Sequence, residues 1–164
     1  MKKERMNPQE ESRKRVTLPY IGRVLKDAGM DVHNDGHSVY VPLGLGNRLN
    51  LELCGKCLSV MFEMPTDPDD TGDIFMAASR AMANSVFTKV YLDKDEYDEY
   101  SLMFSAVAMC EFRNEFEETF DKMFKDLVLS ARIFTEIRNG IQKNEQVVSR
   151  MQPINVIQKE DLPN

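Results

Sequence analysis

The sequence predicts an α+β fold in which helices pack on an antiparallel sheet and a long helix closes the chain. Three observations support this prediction. Apolar spacing changes from helical to alternating after Gly29, turn residues separate the following apolar runs, and a long helical stripe occupies residues 112–141. Strands joined by short turns pair antiparallel, and helices in separate blocks are typical of α+β layers. The predicted order is α-β-β-β-α-β-β-α.

The first helix is predicted to begin after Thr17. A threonine can cap a helix N-terminus, and Pro19 falls in the first turn, where a missing N–H costs nothing. Gly29 is a typical C-terminal cap, so we expect the helix to end there. The apolar positions at helical spacing are Ile21, Val24, Leu25 and Ala28.

Five strands and one helix are predicted in the middle of the chain. The strands are HSVYV (37–41), LNLEL (49–53), CLSVMFEM (57–64), VFTKVYL (86–92) and SLMFSAVAMC (101–110). Between the third and fourth strands, the Ala- and Met-rich segment 74–84 favours a helix.

The last helix is predicted over residues 112–141, although Asn139-Gly140 could end it early. Its apolar stripe comprises Phe112, Phe116, Phe120, Met123, Leu127, Phe134, Ile137 and Ile141. We therefore expect a single α+β domain over 16–141, a basic flexible arm over 1–15 and a polar, mobile tail over 142–164.

Composition narrows the class of function. Residues 1–15 carry a net charge of +3, so a total charge of −6 leaves the other 149 residues near −9. An acidic body disfavours nucleic acid as a partner. The sequence contains no apolar run of about 20 residues and no signal-peptide pattern, which predicts no membrane association. Three cysteines without paired spacing favour a reducing cytoplasm.

The stretch LCGKC at 53–57 is predicted to form the tip of a hairpin with Gly55-Lys56 as its loop. In that register, Cys54 faces Cys57 and Arg48 faces Glu63, on the side away from the core. We expect the two sulfurs to be close neighbours and reduced. The apolar side of the hairpin would carry Leu49, Leu51, Leu53, Leu58, Val60 and Phe62.

Two chemical alternatives exist for the same cysteines. Cys54 and Cys57 could bind a metal with His33 and His37, although four ligands at recognisable spacing are usual for zinc. They could also act as a redox pair, but low-pKa thiols usually lie at helix N-termini rather than on strands. We expect neither a metal nor another cofactor.

The strand 101–110 is apolar on both of its faces. Leu102, Phe104, Ala106, Ala108 and Cys110 point one way. Met103, Val107 and Met109 point the other way, so either another helix or a partner must cover them. Methionine suits varied partners, which makes these three residues the candidate partner surface.

The segment SRAMANSVFTKVYLDKDEYDEYSLMFSAV combines a helix ending in Asn, a short strand, an acidic turn and a long strand. Its pattern, with the final amphipathic helix, resembles the YbjN-like domain, which has the type III secretion chaperone-like fold. The resemblance covers residues 16–141. It implies a non-enzymatic, chaperone-like or regulatory protein that binds other proteins, often as a homodimer, and it supplies no catalytic residues.

Overall fold

A computed structural model describes residues 13–66, 71–95, 97 and 99–150. Its elements follow the predicted order, with one additional two-residue strand before the first predicted one. They are α1 (Leu18–Asp27), β1 (His33–Asn34), β2 (Ser38–Gly44), β3 (Asn47–Cys54), β4 (Cys57–Thr66), α2 (Thr71–Ala83), β5 (Lys89–Lys94), β6 (Tyr100–Met109) and α3 (Arg113–Arg150). The fold is therefore α+β, as predicted.

The described strands form one antiparallel sheet in the order β1-β2-β3-β4-β6-β5. Hairpins connect β2 to β3, β3 to β4, and β5 to β6, while α2 provides the connection from β4 to the opposite edge. Strand β6 returns to pair with β4 over ten residues, from Cys57↔Met109 to Thr66↔Tyr100. This return places β6, the strand that is apolar on both faces, inside the sheet.

The core lies on one face of the sheet, which we call the inner face. Directly paired residues such as Leu51, Val60 and Ala106 form apolar rows across three strands, and each is fully buried. The ring of Phe134 on α3 meets Phe104 edge-on with ring centres 5.7 Å apart. The helical residues buried in this core are Ile21, Leu25, Ile74, Ala77, Ala78, Ala81, Phe116, Met123, Leu127 and Phe134.

Helix α1 has the predicted ends. The hydroxyl of Thr17 accepts a hydrogen bond from the Tyr20 amide at 3.4 Å, and Gly29 follows with φ at 85°. This left-handed conformation suits glycine, which has no Cβ to clash.

Several predicted boundaries are shifted, and two of these shifts have an identifiable cause. Helix α3 continues to Arg150, beyond the expected end at Ile141, because Gly140 keeps a helical backbone instead of turning left-handed. Strand β5 begins at Lys89 rather than Val86, because the Asp126 carboxylate accepts the amide hydrogens of residues 86–88.

The division into arm, domain and tail stays a prediction. Residues 1–12 and 151–164 lie outside the described residues. Of the arm, Arg15 forms a bridge with Phe112 and a 3.5 Å ion pair with Glu111, so its last residues contact the domain.

Candidate functional site: the outer face of the sheet

The sheet has a second face, opposite the helices, which we call the outer face. Register places side chains from all the long strands on it. Its residues include Tyr40, Arg48, Asn50, Glu52, Cys54, Cys57, Ser59, Met61, Glu63, Lys89, Tyr91, Met103, Ser105, Val107 and Met109. In the described part of the chain, the helices bury their apolar side chains on the inner face, so this face is open to solvent.

Two of the three predicted partner-surface residues are accessible. Val107 is 55% exposed and Met109 is 66% exposed, both near the end of β6. Met103 is only 7% exposed, flanked in register by Glu63 and Tyr91 on the neighbouring strands. Met103 therefore lies on the predicted face but is not accessible to a partner.

Tyr91 adds a partly exposed aromatic ring to the outer face, in the same row as Met103 and Glu63, and was missed in the sequence. It is 45% exposed on β5, level with Met103. Partial burial raises the pKa of its phenol, and the charges of Asp93 and Glu52 act in the same direction. The phenol therefore stays protonated at neutral pH and can donate a hydrogen bond. Alternation with the buried Val90 was the signal that could have identified this residue.

The far end of the outer face is held by polar contacts. Arg48 Nη2 lies 2.6 Å from Glu63 Oε2, as predicted for this cross-strand pair, and Glu63 also accepts a bond from Ser101 at 3.2 Å. The Tyr40 ring stacks on His33 with centres 5.0 Å apart. Polar contacts therefore order one end, whereas the other end presents apolar and sulfur-containing side chains.

The LCGKC hairpin has the predicted register, with Cys54 opposite Cys57 and Leu53 opposite Leu58. Gly55 has φ at 63° while Lys56 keeps a negative φ, as a type II′ loop requires. Cys54 is exposed and Cys57 is partly buried, and both are free thiols. The Cys57 Sγ atom lies 3.8 Å from Met109 Sδ on β6.

The alternative metal site does not assemble around the histidines. His33 is level with Tyr40 and Asn50, whereas Cys54 lies four residues farther along β3. Strand rise and spacing put His33 about 17 Å from Cys54, much more than two ligands of one metal can span. Within the described ranges, no group of three or more His, Cys, Asp or Glu residues could hold a metal ion.

A cleft of about 800 Å³ opens at the polar end of the sheet, beside the β5–β6 turn. Two of its four acidic side chains have structural partners: Glu63 pairs with Arg48, and Asp95 accepts the amides of Tyr97 and Glu99 at 2.8 and 2.9 Å. We therefore attribute this arrangement to the ordering of the turn.

The described residues define a class: an α+β domain whose antiparallel sheet is covered by helices on one side. A solved structure of the same kind is described as YbjN, "a putative transcription regulator from E. coli". It superposes with a TM-score of 0.61 at 16% identity, covering 77% of this chain and 94% of that one. The chain therefore has a YbjN-like fold, which confirms the resemblance predicted from the sequence.

By sequence, the chain matches no family profile and no curated protein. No helix in the described ranges is both long and apolar enough to cross a membrane.

Proposed function

We propose that this chain is a non-enzymatic, cytoplasmic protein-binding module that acts as a homodimer and has a regulatory role. The outer face would be the binding surface. One observation carries the proposal: the sheet is covered by helices on one side, while its other side exposes Val107, Met109 and Tyr91. Exposed apolar groups grouped on one face are typical of interaction sites.

The size of the outer face supports a second copy of the chain as the partner. Five strands at about 4.8 Å spacing and seven residues at about 3.4 Å rise give a platform of roughly 24 by 24 Å. Because side chains protrude from the sheet, the accessible area of such a platform exceeds its flat area and is close to the ~800 Å² that each partner buries in a standard interface. Two sheets can pack face to face at about 10 Å.

A regulatory role through protein contact is consistent with the charge of the chain. The YbjN structure is described as that of "a putative transcription regulator", yet the net charge of −6 here disfavours direct contact with DNA phosphates. We therefore propose that any effect on transcription passes through a bound protein. The free thiols agree with a reducing compartment.

The proposal is tested by light scattering on the full chain and two variants. Val107→Glu puts a charge on the outer face, and Val128→Glu puts the same charge on α3, where Val128 is 51% exposed against 55% for Val107. We expect wild type and Val128→Glu to have the dimer mass, and Val107→Glu to have the monomer mass. A monomeric wild type, or a dimeric Val107→Glu, would contradict the proposal.

A further inference from the structure

Three sulfur-containing side chains lie in one row across the outer face. Cys54 on β3 is directly opposite Cys57 on β4, and Cys57 is directly opposite Met109 on β6. Directly paired residues point to the same side of an antiparallel sheet. Two thiols and one thioether are thus brought side by side from three strands.

The spacing of these sulfurs suits a shared metal ion. Two sulfurs bonded to one metal at about 2.3 Å lie about 4.0 Å apart in trigonal geometry and about 3.8 Å apart in tetrahedral geometry. The Cys57 Sγ and Met109 Sδ atoms are 3.8 Å apart. The Cα atoms of a hydrogen-bonded pair such as Cys54 and Cys57 are about 5.5 Å apart, so a rotamer change alone can bring the third sulfur within range.

We propose that Cys54, Cys57 and Met109 form a binding site for copper(I). Thiolate and thioether ligands select this soft cation, whereas zinc sites normally use four thiolate, imidazole or carboxylate ligands. Binding converts two thiols to thiolates, so one Cu⁺ enters, two protons leave, and no electron is transferred. The site shares Met109 with the outer face on which we propose that a second copy docks, so the two proposals are tested by separate measurements.

The backbone around the row is fixed before any metal arrives. The Cys110 amide donates to the Lys56 carbonyl at 2.8 Å, which ties the end of β6 to the hairpin loop. The Lys56 ammonium also pairs with Glu111 at 2.9 Å. Both contacts hold the three strands in register at the sulfurs, so metal binding requires little further ordering of the backbone.

The exposure of the ligands indicates what such a site does. In a single copy of the chain, Met109 is 66% exposed and Cys54 is exposed, so a metal bound there would be in reach of solvent and of a partner. A structural metal is normally enclosed by its ligands. An open site of three sulfurs suits copper that is taken up and passed on, or copper whose presence is sensed.

The test is an anaerobic titration of the reduced full chain with copper(I), in competition with a coloured copper(I) chelator. We expect one equivalent per chain for the wild type. Cys57→Ser, Cys54→Ser and Met109→Leu should each weaken binding by at least about 10–100-fold, because the loss of an outer-shell contact alone has an effect of that size. Matched controls are Cys110→Ala, a buried thiol outside the row, and Met82→Leu, an exposed thioether on α2.

The controls should bind copper as the wild type does. Without metal, the variants at Cys54, Cys57 and Met109 should have the same Tm as the wild type, because these side chains are exposed or partly exposed. X-ray absorption of the copper-loaded chain should show three sulfur neighbours, and two in Met109→Leu. The proposed site would be overturned by any of three results. These are an unchanged copper affinity in Met109→Leu, one equivalent of copper still bound by the double variant Cys54→Ser, Cys57→Ser, or no copper binding by the wild type. The oligomeric state is measured separately by light scattering, so the site and the dimer can fail separately.

Discussion

The carboxylate of Asp126 on α3 holds the loop between α2 and β5, so the loss of this carboxylate should lower the free energy of unfolding. It accepts amide hydrogens from Val86, Phe87 and Thr88 at 3.1, 3.0 and 2.9 Å, and the Thr88 hydroxyl at 2.7 Å. We predict that Asp126→Ala is strongly destabilising, because one substitution removes the acceptor for all four donors.

The expected magnitude follows from burial. Thr88 is 5% exposed, so its amide and hydroxyl would lose their partner in a buried setting, at about 1–3 kcal/mol each. Val86 and Phe87 are exposed, and water can replace the carboxylate at their amides. The free energy of unfolding should therefore fall by about 2–6 kcal/mol, which corresponds to a drop in Tm of about 4–24 °C.

Urea denaturation measures this change, with Asp121→Ala as the matched control. Asp121 lies on the same helix and pairs with Lys125 at 2.7 Å, but its side chain is 57% exposed. Such a surface pair contributes about 0.5 kcal/mol or less. If Asp126→Ala lost no more stability than Asp121→Ala, the structural role assigned to this carboxylate would be refuted.

The same carboxylate gives a pH dependence with a defined sign. Partial burial acts to raise its pKa, but the hydrogen bonds from Thr88 and the loop amides outweigh burial and hold the pKa of Asp126 below its ordinary value. Its stabilising effect is therefore complete above the unfolded pKa of about 3.9 and is lost as the pH falls through the lower folded pKa. The stability difference between wild type and Asp126→Asn should be constant above about pH 5 and shrink below about pH 4.

The remaining predictions concern the hairpin, the core and the thiols. Gly55→Ala should cost about 1–3 kcal/mol because of its positive φ, whereas Gly140→Ala, at a helical glycine with open space around it, should stabilise by about 0.5–1 kcal/mol. In urea denaturation, Leu51→Ala should cost about 2–5 kcal/mol and its outer-face neighbour Glu52→Ala less than about 0.5 kcal/mol. Burial and the charge of Glu115 raise the pKa of the Cys110 thiol, so alkylation followed by mass spectrometry should label both hairpin thiols first.

The hairpin register was predictable because two local signals agreed. A glycine at the first loop position fixed the turn, and alternation put Leu49 and Leu51 on one face, so a one-residue slip would have exposed the leucines. The capped ends of α1 were predictable for a similar reason, since Thr17 and Gly29 act within one helical turn.

The boundaries that were wrong depend on contacts between distant residues. Val86 and Phe87 are good strand formers, yet Asp126, about forty residues later, takes their amide hydrogens. The residues adjacent to them in the sequence give no indication of the contact with Asp126. Met103 was placed on the correct face, but its burial depends on Glu63 and Tyr91, which flank it only after the sheet has assembled.

The outer face was predictable only in part. Alternation along β6 identified Val107 and Met109, but the sequence could not show that Met109 lies beside Cys57, because β6 pairs with β4 across an intervening helix and strand. Non-local pairing therefore created both the open face and the row of sulfurs. Neither is visible from any one segment.

The central claim, that a second copy docks on the outer face, is tested most directly by photo-crosslinking from that face. A photoreactive phenylalanine would replace Val107 in one variant and the equally exposed Val128 on α3 in the other. We predict that irradiation gives a covalent dimer from position 107 and none from position 128. Covalent dimer from position 128 alone, or none from either position at a concentration where light scattering shows dimer, would contradict the account.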